Sequence, residues 1–237
     1  MSPEAHPIFS TNNLILNSLA GDEFDHLRPH LEAVELPRGK VLYDAEDRIR
    51  HIYFPSKGMI SVVNVTLEGA QTEVSVIGRE GFSGLEGLLN GPHAINRHVV
   101  QLSGEGHRIA IQPLKLELSH DSQFRRIAHK FMRSILVQVS QTALCNRLHK
   151  NEKRLAKWLL MCHDRVEGDV IPITQEFVAI MLGANRWTVT NSAGHLQGEG
   201  LIDYTRGKIT IIDRPGLEAF SCECYQKITS QYARLTA

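Results

Sequence analysis

The sequence predicts an α+β chain in three successive parts: an N-terminal β-barrel of jelly-roll type, a long helix and a C-terminal winged helix-turn-helix. Three observations predict it. Seven short strand candidates at close spacing fill the first half. An apolar stripe at three- and four-residue steps follows them. Residues 173–202 then read as helix, tight turn, helix and the start of a hairpin. At 237 residues the chain has room for such parts, expected at 1–120, 121–150 and 151–237.

The strand candidates are 33–36, 41–43, 52–54, 59–65, 72–77, 98–102 and 108–111. Turn signals separate them: Pro37-Arg38-Gly39, Pro55-Ser56-Lys57-Gly58, Glu68-Gly69, Gly78-Arg79-Glu80-Gly81 and Gly104-Glu105-Gly106.

A helix is expected over 121–148. Phe124, Ile127, Ala128, Phe131, Ile135, Val139, Thr142 and Leu144 recur along it at helical steps. That stripe is wide enough to pack on its own domain and on a second copy of itself. It predicts a two-fold homodimer through Phe124, Ile127, Ala128, Phe131, Ile135, Val139 and Thr142.

In residues 173–202, Thr174 is placed to cap a helix whose first turn holds Gln175 and Glu176. Phe177, Val178, Ile180 and Met181 supply its apolar face, and Gly183 breaks the pattern. A second helix opens at Asn185, with Arg186, Trp187, Thr188, Thr190 and Asn191 available on its outer side. Val189, Ala193 and Leu196 sit at inward spacings. Such a second helix can put its N-terminal side chains against base edges in a major groove. Residues 201–212 alternate around a Gly turn, which predicts a hairpin with Arg206 and Lys208 at its tip, near phosphates.

Bulk composition is that of an ordinary soluble protein, 42% hydrophobic and 22% charged. Lys+Arg and Asp+Glu both number 26, so net charge says nothing about nucleic acid. Distribution does: from His120 to Leu160 nine cations stand against two anions, Asp121 and Glu152. Such an excess can steer a protein toward phosphates, or can be a solvated helix face. The cysteines are Cys145, Cys162, Cys222 and Cys224, with no CxxC. Cys222 and Cys224 can be read as a redox or metal pair, but spacing alone reads better as reduced cytoplasmic thiols. No metal ligand set is assigned. No leader-like or membrane-spanning run occurs, so a cytoplasmic location is expected. Cys162-His163 is the most tempting catalytic pair, yet adjacent helical residues do not face each other. No enzyme activity is expected.

The order of parts resembles the Crp/Fnr transcription regulators over nearly the whole chain. Gly183-Ala184-Asn185-Arg186-Trp187-Thr188-Val189 resembles the family's Gly-x-Ser-Arg-x-Thr-Val at its recognition helix, and Leu196 and Gly200-Leu201-Ile202 fit the continuation. Arg154-Leu155-Ala156-Lys157-Trp158-Leu159-Leu160 resembles the first helix after the family's hinge. The resemblance implies a cyclic-nucleotide-binding-like barrel, a dimer helix, double-stranded DNA and RNA polymerase as partners, and Arg186 reading a guanine. Expected DNA contacts are Thr174, Gln175, Asn185, Arg186, Trp187, Thr188, Thr190, Asn191, Arg206 and Lys208.

The resemblance also implies an effector pocket at Gly84, Leu85, Glu86, Arg97 and His98, completed by Val139 and Ser140 of the long helix. Cyclic-nucleotide binders carry Gly-Glu-Leu and then Arg-Ser/Thr-Ala. Here Leu85 stands at the Glu position and His98 at the Ser/Thr position. Leu cannot accept a hydrogen bond from a ribose hydroxyl, and an unpaired buried hydroxyl costs about 1–3 kcal/mol. Cyclic AMP is therefore disfavoured. No N-terminal cysteine cluster is present for iron–sulfur, and His93, His98 and His107 carry no haem-ligand motif. The effector stays unknown. The function expected is that of a homodimeric, sequence-specific DNA-binding regulator on a palindromic operator. The alternative is a small-molecule-binding module that acts through protein contacts and shows no salt-dependent DNA binding.

Overall fold

A computed structural model describes residues 11–235 except Asn90 and Arg206. The chain runs α1 (Leu14–Asn17), α2 (Gly21–Leu27), β1 (Leu31–Leu36), β2 (Val41–Tyr43), β3 (His51–Pro55), β4 (Met59–Val65), β5 (Gln71–Ile77), α3 (Leu85–Leu88), β6 (Arg97–Leu102) and β7 (Gly104–Ala110). It continues through α4 (Ile111–Ser119), α5 (Gln123–Leu148), α6 (Asn151–His163), β8 (Val170–Ile171), α7 (Gln175–Leu182), α8 (Arg186–Gly198), β9 (Ile202–Thr205), β10 (Lys208–Ile211), α9 (Arg214–Phe220) and α10 (Cys224–Tyr232).

Two antiparallel sheets, ordered β1-β7-β3 and β2-β6-β4-β5, face each other to form the barrel. Its core is aromatic. Phe82 lies 5.4 Å from Phe54, 4.8 Å from Phe131 and 6.1 Å from Phe124, centroid to centroid. Burying each such ring contributes about 1.5–3 kcal/mol. β4 is buried on both faces, which explains its nearly unbroken apolar run. Ile60 and Val62 point into the barrel, while Met59 and Val63 join Val76 and Leu102 on the outer face. There they form one core with Leu155, Trp158, Leu159, Val178 and Leu182 of the C-terminal part.

The structure corrects several expectations. Gly104-Glu105-Gly106 is not a turn but the start of β7, with Gly104 opposite Leu36, and Gly106 opposite Val34 on one side and Pro55 on the other. A Cβ on Gly104 would strike the Lys57 carbonyl, and one on Gly106 the Phe54 carbonyl. These glycines mark close backbone approach, the other meaning of glycine in a strand. Ile111 does not end a strand but opens α4, where Ile111 and Leu114 bury a helical face. Ser122 separates α4 from α5: its hydroxyl donates to the Glu117 carbonyl at 2.6 Å and accepts from the Arg125 N–H at 3.0 Å.

The α5 stripe is also corrected. Phe124, Ile127, Ala128 and Phe131 are buried in the barrel core of their own chain, and Ile135 packs half-buried against it. They cannot also face a second copy. The apolar residues left exposed on α5 lie on another face: Leu136 is 63% exposed and Val139 37%. Thr142 is half-buried. Of the nine cations, Arg154 and Lys157 are buried and do not add to the surface field, and Arg126 is paired with Asp121. Among the described residues no helix is long and apolar enough to cross a membrane.

Candidate functional site

The helix-turn-helix is built by local capping. Thr174 Oγ1 accepts from the Phe177 N–H at 3.3 Å and opens α7. Gly183 closes it with φ 58°, a left-handed conformation that costs a residue with a Cβ about 1–2 kcal/mol. Asn185 then caps α8, its Oδ1 accepting from the Thr188 N–H at 2.8 Å. Val189, Ala193 and Leu196 are buried beneath α8, as their spacing predicts. α7 buries Val178, Ala179, Met181 and Leu182, whereas Ile180, expected inside, is 38% exposed. Phe177 is half-buried under the Arg38 guanidinium, 5.6 Å from its ring centre.

Four side chains are exposed on the outer side of α8: Arg186, Trp187, Thr190 and Asn191, with Trp187 73% exposed. Thr190 Oγ1 lies 2.9 Å from the Arg186 carbonyl and 3.0 Å from Gln175 Oε1, which ties α8 to α7. Thr174 and Asn185 spend their side-chain oxygens on helix caps, so they can meet DNA only through the atoms that remain. Thr188 is half-buried. β9 and β10 form the hairpin, paired Lys208 to Thr205 and Ile211 to Ile202. Lys208 is exposed at its tip, and Arg206 lies outside the described residues. β8, which the sequence did not suggest, adds a third strand beside β10.

The barrel pocket is occupied by the chain's own polar groups. Arg97 pairs with Asp44 in a two-pronged contact, Nε to Oδ1 at 3.0 Å and Nη2 to Oδ2 at 2.7 Å. That hydrogen bond holds the Asp44 carboxyl below its usual range. His98 is buried, with Nδ1 2.7 Å from Ser83 Oγ and Nε2 3.2 Å from Glu86 Oε1. Burial pushes the Glu86 carboxyl up, but the His98 hydrogen bond and charge outweigh it and leave it lowered. Tyr43 stacks edge-on against His98 at 5.5 Å and donates to the His51 carbonyl. Gly84 precedes α3, where Leu85 is half-buried. Val139 and Ser140 are exposed, while Gln138 turns to the barrel and accepts from the Val76 N–H at 3.1 Å. Sequence reasoning missed Asp44, Ser83 and Tyr43, because only the tertiary structure brings them to His98 and Arg97: β2 pairs with β6 to place Tyr43 and, just beyond it, Asp44, while Ser83 is bridged to Tyr53 of β3.

Three polar contacts join the C-terminal part to the barrel, one buried, one part-buried and one exposed. Trp158 Nε1 donates to Glu73 Oε1 at 2.8 Å, and Ser61 Oγ donates to Glu73 Oε2 at 2.5 Å. Arg165 binds Glu80 Oε1 through Nη2 at 2.5 Å and Nε at 3.0 Å. Arg38 Nη1 donates to the Pro172 carbonyl at 2.8 Å.

Of the pair Cys162-His163, Cys162 is fully buried in the shared core, where burial pushes its thiol up. His163 does have a carboxylate neighbour, Asp169, at 3.0 Å. The other cysteines are not scattered. Cys145, Cys222 and Cys224 pack together, and His149 joins them.

The cyclic nucleotide-binding domain family matches residues 33–102, and the Crp-like helix-turn-helix domain family matches residues 153–220. No curated protein matches the chain in sequence. Solved structures share its fold. A transcriptional regulator of the crp/fnr family from Eubacterium rectale is 18% identical, with TM-score 0.66, over 87% of this chain and 97% of that one. FixK2 from Bradyrhizobium japonicum is 15% identical, with TM-score 0.70, over 81% and 98%. A transcriptional regulator of the CRP family from Thermus thermophilus is 18% identical, with TM-score 0.65, over 79% and 96%.

Proposed function

The chain belongs to the Crp/Fnr family of DNA-binding transcription regulators, and from that premise we propose that it works as a homodimer on a palindromic operator under control of its barrel. The observation that carries this reading is the bare outer side of α8, where Arg186, Trp187, Thr190 and Asn191 stand exposed on a helix capped at both ends. Two copies on a two-fold axis place these helices in major grooves about 34 Å apart, one duplex turn. Arg186 gives a bidentate contact to guanine, worth about 1–3 kcal/mol of discrimination. Lys208, with Arg206, touches phosphates and reads no sequence.

The dimer face we assign is the one the barrel leaves free. Met132, Leu136, Val139 and Ala143 follow each other at steps of four, three and four, the heptad seam of a paired helix. RNA polymerase is the expected protein partner, and the cytoplasm the expected compartment. The effector is not an ordinary cyclic nucleotide, since Asp44 already holds the Arg97 guanidinium and His98 holds Glu86. Control then acts as a population shift: a change in the barrel alters how the C-terminal part docks on β4 and β5, and with it the spacing of the two α8 helices.

Selection from random DNA tests the reading. Wild type should enrich a palindrome. Arg186→Ala should flatten preference at one position per half-site. Lys208→Ala should weaken all sequences alike and reduce the salt slope. If no palindrome is enriched, or if both variants only scale affinity, α8 is not the reading helix.

A further inference from the structure

Cys145 lies in the last turn of α5, His149 just beyond its end, and Cys222 and Cys224 flank the turn into α10. The two pairs are far apart in the chain, and the fold closes them into one cluster. Cys145 Sγ lies 3.6 Å from Cys222 Sγ, and Cys224 Sγ lies 3.6 Å from His149 Nδ1. All four donor atoms lie within 4.8 Å of one another. A tetrahedral ion with bonds of about 2.3 Å to sulfur and about 2.0–2.1 Å to nitrogen needs edges of about 3.8 Å and 3.5 Å. The contacts are too long for a disulfide, and all four cysteines are free thiols.

The surroundings fit the same chemistry. His149 turns Nδ1 to the thiols and Nε2 to Glu223 Oε2, 3.4 Å away, the arrangement in which a carboxylate orients a metal-binding imidazole. Three thiolates and a divalent ion leave one negative charge. Buried Lys157 and Arg154 of α6 stand within electrostatic reach of the thiols to balance it. The three sulfurs are buried, with Leu144 the apolar side chain packed against them, so the site is closed to solvent on the sulfur side. A closed set of three soft thiolates and one imidazole is a structural zinc donor set, with no open position for a substrate.

We propose that Cys145, His149, Cys222 and Cys224 bind one zinc-class divalent ion, which braces the hinge between α5 and the winged helix. Binding is coordination without redox: three thiols lose their protons to solvent, and three thiolates and Nδ1 each donate one electron pair. α10 packs along α5, and Leu235 beyond its end is buried in the barrel core. The ion fixes the opposite end of α10, so the helix becomes a strut from barrel to hinge. This goes beyond the DNA-binding reading and can be tested without DNA.

The test is metal analysis of the full chain, purified under reducing conditions without chelator and incubated with zinc alone. About one zinc per chain is expected, and cobalt in its place should give the intense thiolate charge-transfer bands of a tetrahedral site. His149→Ala and Cys222→Ser should lower affinity more than about tenfold, whereas His149→Cys, which restores a fourth thiolate, should retain the ion. If the cysteine variant does not fold, cobalt titration of metal-stripped wild type gives the stoichiometry instead. Hydrogen exchange in residues 143–152 should rise when the ion is removed. Wild type that takes up no zinc at micromolar concentration, a Cys145–Cys222 disulfide in protein as isolated, an iron–sulfur chromophore, wild-type zinc affinity in His149→Ala, or unchanged exchange at the hinge would each overturn the proposal.

Discussion

The indole N–H of Trp158 donates to the carboxylate of Glu73 across 85 residues of sequence, at 2.8 Å and out of contact with water. It joins α6 to β5 inside the core shared by the two parts. One of the bonds that dock the C-terminal part on the barrel therefore rests on a titratable group.

That bond makes docking sensitive to pH. Burial pushes the Glu73 carboxyl up to about 7, against the pull of Ser61, Trp158 and two nearby cations. The folded chain therefore holds a proton that the unfolded chain releases. This contribution to stability is full below the unfolded value and is lost as pH rises through about 7. A shift of this size corresponds to an effect on the order of 3 kcal/mol. Thermal unfolding should show wild type losing stability between about pH 4.5 and pH 7 and levelling off above, with Glu73→Gln flatter over the same window. Equal slopes for the two proteins would remove Glu73 as the cause.

Arg165 and Glu80 form the second docking pair, with side chains 5% and 10% exposed. Arg165→Met leaves the Glu80 carboxylate buried without its cation, which should cost about 3–5 kcal/mol in urea unfolding. Adding Glu80→Gln should recover part of that loss. Additive effects in the double-mutant cycle would mean that the pair contributes nothing as a pair.

The two faces of α5 should respond differently. Phe131→Ala opens a cavity beneath Phe82 and should cost about 3–5 kcal/mol of stability. Leu136→Asp touches only the exposed face, so the fold should lose less than about 1 kcal/mol while light scattering shows monomers. Dimers that survive Leu136→Asp would place the interface elsewhere.

Cyclic AMP should give no saturable heat in calorimetry at tens of micromolar, where a site of about micromolar Kd is plain. The reason is occupancy by the chain itself. Asp44 holds Arg97, and His98 holds Glu86, the carboxylate one position after Leu85. One site per subunit would show that Glu86 breaks from His98 to meet a ribose.

The parts legible in the sequence are those set by neighbours in the chain. Thr174, Gly183 and Asn185 specify a helix, a left-handed stop and a new helix through hydrogen bonds between near neighbours. Val189, Ala193 and Leu196 mark the buried side of α8 by spacing alone, and Leu85 and His98 already argued against a cyclic nucleotide. What lies opposite each element was decided by the tertiary structure. The α5 periodicity showed that one face is apolar, but a stripe does not name its partner, and the barrel took Phe124, Ile127, Ala128 and Phe131. Gly104 and Gly106 looked like a turn because the backbone crowding them, Lys57 in the turn after β3 and Phe54 in β3, lies far back in the chain. Asp44 beside Arg97, Glu73 beneath Trp158, and Cys145 and His149 against Cys222 and Cys224 are long-range pairs. No local spacing encodes them, because their energy exists only once the chain has closed around them.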